Sequence, residues 1–289
     1  MFMKFLVLFM VSFNILNATS KNTAYILKTG EKESEMLELQ HRVLAQDSYD
    51  HLLKAGLSRG KIVCDIGCGN GAMTEFMART VGNTGHVYAY DISDDQIIIA
   101  KRRIENAGLT NVTFIQSDIN SLTNLPPKKA DIVYARMLLM HLRNPKEAII
   151  NMKSLLKTGG VLALQEFITS TTHASRPIPE LDGYMRVFVD LSKYKGVDFD
   201  IGIKLQQLCE ESGLKEVQIS YAQHKLSIQQ TKTFLLNRCN EWSGEAIKAN
   251  LTTKEEFDKY KAVIESLPDS DESFYFALGK QAYALAKNE

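Results

Sequence analysis

The chain has 289 residues, room for one large domain or a domain with a subdomain, and its 45% hydrophobic and 24% charged residues exclude a disordered or fibrous chain. Lys+Arg and Asp+Glu both total 34. Only short basic clusters occur (Lys101-Arg102-Arg103 and Lys128-Lys129), which argues against a nucleic-acid acceptor, since that calls for a basic stripe.

The N-terminus opens with Lys4 and an apolar run, Phe5 to Leu16, interrupted by Ser12 and Asn14. Leu16-Asn17-Ala18 follows as a small-residue cleavage site, the layout of a secretory signal. The run is short for a membrane span, so no stable span is expected. Residues 1–20 read as an export signal, a membrane-associating extension, or sequence before a downstream start.

Glu31 to Leu53 reads as a helix, with Met36, Leu39 and Val43 on one face. Lys61 to Asp65 is an apolar strand running into glycines, and Ala72 to Thr80 is helical. His86 to Asp91 is a second strand. Ser93 caps a helix, Asp94 to Ala107, that Gly108 ends. Val112 to Gln116 is a third strand and Asp131 to Ala135 a fourth. Asn144-Pro145 opens a helix to Leu156, stopped by Thr158-Gly159-Gly160. Val161 to Glu166 is a fifth strand. This βαβα alternation predicts a parallel sheet with helices on both faces.

Thr169 to Asp198 then reads as a polar, aromatic-bearing excursion. Phe199 to Ser212 is helical, Glu216 to Tyr221 a strand, and Ile228 to Leu267 helix in pieces with a Thr253/Glu256 capping box. Ser273 to Ala284 reads as a last strand. The cysteines Cys64, Cys68, Cys209 and Cys239 form no CxxC pair, so no metal site is expected.

The chemistry concentrates where strands end. Asp65-Ile66-Gly67-Cys68-Gly69-Asn70-Gly71 lies between the first strand and its helix. Gly67 and Gly69 permit a tight turn and close backbone approach to a ligand. With Ala72 they also fit the loose dinucleotide fingerprint G-x-G-x-x-A. Asp65 separates the two cofactors. A carboxylate there repels a pyrophosphate and attracts the ammonium and sulfonium of S-adenosylmethionine (SAM). Asp91, ending the second strand, can accept from both ribose hydroxyls. Asp118, past the third, can accept from the adenine amine.

Five segments, VCDIGCGNG (Val63–Gly71), AYDIS (Ala89–Ser93), QSDI (Gln116–Ile119), ADIVYARMLLMHL (Ala130–Leu142) and LLKTGGVLALQE (Leu155–Glu166), resemble the successive motifs of class I SAM-dependent methyltransferases. The resemblance is nearest the small-molecule branch that includes ubiquinone and menaquinone C-methyltransferases. It implies an α/β, Rossmann-like, seven-stranded mixed sheet of order 3-2-1-4-5-7-6, with helices on both faces and a helical cap. It implies SAM as cofactor, a partly apolar small-molecule acceptor, and a cytoplasmic enzyme, because SAM is made there; an exported or membrane-associated alternative rests on residues 1–20. A homodimer is open.

Residue by residue, the resemblance assigns Asp65, Gly67 and Gly69 to the methionine part, Asp91 to ribose and Ile92 to the adenine face. Asp118 and Ile119 take the adenine edge. Arg136 lines the methionine pocket, where many relatives have a smaller residue. Residues 21–60 resemble a lid, with Tyr25 or Gln40 closing over SAM; the same residues also fit a packing helix. The rest of the chain, 61–289, is the methyltransferase domain, with cap insertions near 169–198 and 226–272. His141 is the candidate catalytic base, or equally a packed histidine at a helix start. Tyr184 and Arg186 are candidate acceptor contacts, or exposed cap surface. Two other functions stay open: an NAD(P)-dependent oxidoreductase, which the absence of a well-placed Tyr-x-x-x-Lys disfavours, and a SAM-binding protein without turnover.

Overall fold

The structure, a computed structural model, describes residues 31–121 and 129–289. The expected leader and Tyr25 lie outside the described residues. Numbering the strands of the main sheet alone, β1 (Ile62–Ile66), β2 (His86–Asp91), β3 (Val112–Gln116), β4 (Ala130–Arg136) and β5 (Leu156–Ile168) run parallel. β6 (Lys215–Ala222) lies at the far edge. β7 (Lys280–Lys287) inserts antiparallel between β5 and β6. The order is 3-2-1-4-5-7-6, as the resemblance implies.

Period-two alternation divides the strand side chains between two cores. Val63, Ile132, Tyr134 and Ala163 face α2 (Ala72–Val81), whose Met73, Met77 and Val81 are buried with them. Cys64, Ile66, Val133, Ala135, Leu162 and Leu164 face the opposite core, which holds α4 (Pro145–Leu155). Asp65 shares the parity of Val63, so its carboxylate is carried to the α2 side. α3 (Asp94–Asn106) begins as expected, with the Ser93 hydroxyl accepting from the Gln96 N–H. α1 (Glu31–Lys54) lies over the sheet, burying Met36, Leu44 and Leu52.

Two expectations are corrected. The stretch after Glu166 is not mainly a polar excursion. β5 continues to Ile168, and Pro179–Lys195 forms a helix, α5, with Leu181, Tyr184, Val187 and Leu191 buried. After a short turn, α6 (Leu205–Glu211) leads into β6. The cap is completed by α7 (Ile228–Lys248) and α8 (Lys254–Ser266), each opened by a capping box, Ser227/Gln230 and Thr253/Glu256. Trp242 stands at its centre, with ring centroids 4.9 Å from Tyr184, 5.3 Å from Phe188 and 5.1 Å from Phe257.

The last strand is also split. Phe276–Ala277 pairs with His173–Ala174 and Lys225–Leu226 in a small separate sheet, and the main-sheet strand starts only at Lys280. Gly279 forces the break: a Cβ there would come 2.7 Å from the Ile168 carbonyl oxygen.

Candidate active site

The turn after β1 closes on the end of β2. The N–H groups of Gly67 and Cys68 both donate to the Tyr90 carbonyl, at 2.8 and 2.9 Å. Gly67 has φ 72°, and a Cβ on it would sit 3.2 Å from Leu138 Cδ1, so a side chain here would be strained and crowded. Gly71 is tighter. Its φ is 79°, and a Cβ would lie 2.9 Å from the Ala100 Cβ, so this glycine lets α2 approach α3.

The three strand-end carboxylates meet in one cavity of about 530 Å³. Asp91 accepts from the Gly69 N–H through Oδ2 and the Ser93 N–H through Oδ1, each at 2.9 Å. One such bond per oxygen leaves lone pairs for a ligand's hydroxyls. Burial raises the Asp91 carboxyl above its usual range, and the Ser93, Gly69 and Ile92 N–H groups oppose this. Asp65 is buried and accepts from the Thr74 hydroxyl at 2.5 Å. Burial pushes its carboxyl up to about 6, against that hydrogen bond and the Arg136 charge. Asp118 fixes its own loop by accepting from the Asn120 N–H at 2.9 Å. Ile92 is 51% exposed at the cavity, an apolar face open to a ring, and Ile119 is buried on its wall.

Arg136 and Gln40 also line this cavity. Arg136 Nη1 lies 3.3 Å from Ser48 Oγ and 3.5 Å from His41 Nδ1, so it joins α1 to the end of β4. The Ser48 hydroxyl donates to Gln165 Oε1 at 2.8 Å, and that oxygen also accepts from the Tyr134 hydroxyl at 3.0 Å. His41 is lowered to about 4 by burial and by Arg136, so it stays neutral beside the guanidinium.

Glu166 is a residue that sequence reasoning missed. It is buried at the end of β5 and accepts from the backbone N–H groups of Leu138, Leu139 and Met140 at 2.9, 2.7 and 3.4 Å. This holds the turn after β4, which begins at Met137 in a left-handed conformation, φ 50°. Burial pushes Glu166 up to about 8, with those three N–H groups opposing. The signal was present as a carboxylate ending an apolar strand, VLALQE.

That turn carries His141 to the cavity wall, edge-on to Phe199 at 5.6 Å. Burial, then the Arg238 charge, lowers its imidazole to about 3. Tyr184 also lines the cavity; it is buried in the cap, not exposed on it, and its hydroxyl donates to the Leu235 carbonyl at 3.4 Å. Arg186 is exposed and lies off the cavity lining, so the structure does not bring it to the acceptor. The helical period separates the two, since residues two apart on a helix face different ways. Arg238 and Trp242 of α7 line the cap side and were not singled out in the sequence.

A glycine turn, three strand-end carboxylates and this strand order define a class I SAM-dependent methyltransferase fold. The methyltransferase-domain family matches residues 57–257, and the chain belongs to that family. It is 31% identical over 142 residues to the ubiquinone/menaquinone biosynthesis C-methyltransferase UbiE of Shewanella pealeana, covering 49% of this chain and 52% of that protein. It is 32% identical over 114 residues to the UbiE of Azotobacter vinelandii, covering 39% and 45%. The chain thus spans about half the length of these curated relatives. Among solved structures, YcgJ of Bacillus subtilis matches with a TM-score of 0.57 at 16% identity, over 84% of this chain and 99% of that one. A protein assigned as a methyltransferase in Bacillus halodurans C-125 matches with a TM-score of 0.55 at 19% identity, over 83% and 97%. These likenesses concern the fold.

Proposed function

We propose that the protein transfers a methyl group from SAM to a partly apolar small-molecule acceptor. The observation that carries this reading is the convergence of Asp65, Asp91 and Asp118 on one cavity. Asp91 suits the ribose hydroxyls, Asp118 the adenine amine and Asp65 the methionine ammonium. Arg136, beside Asp65, suits the methionine carboxylate. When bound, SAM supplies an electrophilic methyl on a sulfonium.

The chain's own residues hold the partners in line and exclude water. Residues 21–60 act as a lid, supported by Leu37 and Gln40 of α1 lying on the cavity. Residues 61–289 form the methyltransferase domain, and the insertions near 169–198 and 226–272 supply the cap. Met185, Phe188 and Trp242 make the cap side apolar, which favours an acceptor with an apolar body. His141 takes part as a neutral imidazole that accepts a hydrogen bond from the acceptor. Among the described residues no helix is long and apolar enough to cross a membrane. The cytoplasmic location rests on where SAM is made.

Calorimetric titration with SAM and S-adenosylhomocysteine, with NAD as control, tests the reading. Both sulfur ligands bind, NAD does not, and Asp91→Asn weakens binding by about 10- to 100-fold, the worth of about 1.5–3 kcal/mol of charge-assisted hydrogen bonding. Binding of NAD alone to the folded protein would move it to the oxidoreductases. Binding without transfer to any of a broad acceptor panel would leave a cofactor-binding protein.

A further inference from the structure

The cavity is divided by charge. Its carboxylates, Asp65, Asp91 and Asp118, line the end formed by the strand termini. The cap end is walled by Tyr184, Phe188, Phe234 and Trp242, and into it α7 places the buried cation Arg238. Arg143, also on the lining, is exposed at the mouth. No carboxylate lines the cap end among the described residues.

Arg238 pairs with Glu241, Nη1 to Oε2 at 2.6 Å, with side chains only 8% and 12% exposed. Burying such a pair is weak support for stability, because each ion loses several kcal/mol of hydration. Apolar residues would line a cap for an uncharged acceptor at less cost. The two partners are placed unequally. Arg238 lines the cavity and Glu241 does not. A guanidinium has five N–H donors in a planar fork, so one edge can hold Glu241 while another meets a ligand oxygen. Its charge is felt at the cavity wall, where it adds to burial in keeping His141 neutral.

Building on the methyltransferase reading, we propose that Arg238 binds an anionic oxygen of the acceptor, a phenolate or a carboxylate on a mainly apolar molecule, and so selects acids over amines. An acceptor held this way enters ionised, its proton left to solvent, and needs no strong base in the chamber. The neutral imidazole of His141 fits that division of labour. An ammonium acceptor would instead meet a like charge in a dry wall, with no carboxylate there to receive it.

The test uses the full chain, with and without S-adenosylhomocysteine, and four probes: 4-hexylbenzoate, 4-hexylbenzamide, 4-hexylbenzylamine and 2-hexyl-4-nitrophenol. The benzoate binds about tenfold or more tightly over the amide and the amine, the nitrophenol turns to its coloured anion about one pH unit lower when bound than when free, or both. The first result identifies a carboxylate site and the second a phenolate site. Arg238→Met with Glu241→Gln, which removes both charges together, abolishes the preference and moves the bound nitrophenol's ionisation upward, because a dry apolar wall disfavours the anion. Arg238→Lys retains a lesser preference.

Equal or tighter binding of amide or amine, with no downward shift of the nitrophenol, overturns the proposal in the wild-type chain alone. An anion preference that survives the double substitution overturns it too. Failure of S-adenosylhomocysteine to bind, with the anion preference intact in its absence, overturns the methyltransferase reading and leaves Arg238 as an anion site.

Discussion

Asp65 is the residue whose chemistry ties cofactor choice to pH. Its carboxyl sits near 6 in the free protein because it is buried, and it holds the SAM ammonium only when ionised. Cofactor affinity therefore rises as pH goes from 5 to 7, and Asp65→Asn flattens that rise; titration calorimetry at several pH values checks it. Glu166 has the opposite consequence for stability. Its folded value near 8 lies above the ordinary 4.5, so the folded chain binds the extra proton between those limits. Its contribution is complete below about pH 4.5 and is lost as pH rises toward 8. The melting temperature of the wild type relative to Glu166→Gln falls over that window, by thermal unfolding at pH 5 and pH 8. Asp65, Asp91 and Asp118 were legible in the sequence because each follows a strand that its apolar run announces. Arg238 was not: on an amphipathic helix, a buried and an exposed arginine read alike until the helix is docked.

At the scale of elements, the approach of α2 to α3 depends on a position with no side chain. Gly71→Ala combines a left-handed backbone with a 2.9 Å contact to Ala100. It costs about 1–3 kcal/mol and weakens cofactor binding, because the same turn carries Gly69 to Asp91. Urea unfolding and calorimetry read the two effects separately. α1 is held by its buried leucines and by the Arg136–Ser48–Gln165 chain of hydrogen bonds. Leu44→Ala loses about 2–5 kcal/mol, measured by urea unfolding. The helix bounds of the core followed from local signals, Ser93 and the Thr253 box among them. The break at Gly279 did not, because it depends on the Ile168 carbonyl, far away in sequence.

Across the whole molecule, the cavity lies between the sheet's strand ends, α1 and the helical cap. Leu37 and Gln40 line it from α1. Further along the helix, His224 Nε2 is 2.9 Å from Asp47 Oδ2, tying α1 to the segment after β6. If α1 closes over the cofactor, S-adenosylhomocysteine slows amide exchange from about Leu37 to Ser48 as well as in the 67–71 turn. Slowing in the turn alone, by hydrogen-exchange mass spectrometry, would make α1 a packing helix and not a lid.

The sheet order and the cofactor end were within reach of the sequence by itself. A parallel βαβ pattern admits few connections, and a ligand site at strand ends is local to each strand's own exit. The cap end was settled only by the tertiary structure. α5, α7 and α8 come from stretches far apart in the chain, and which of their residues face the cavity depends on how they pack around Trp242. Arg186 turned outward and Arg238 inward by that packing alone. No local signal distinguishes the two, because burial belongs to the docked helix and not to the residue.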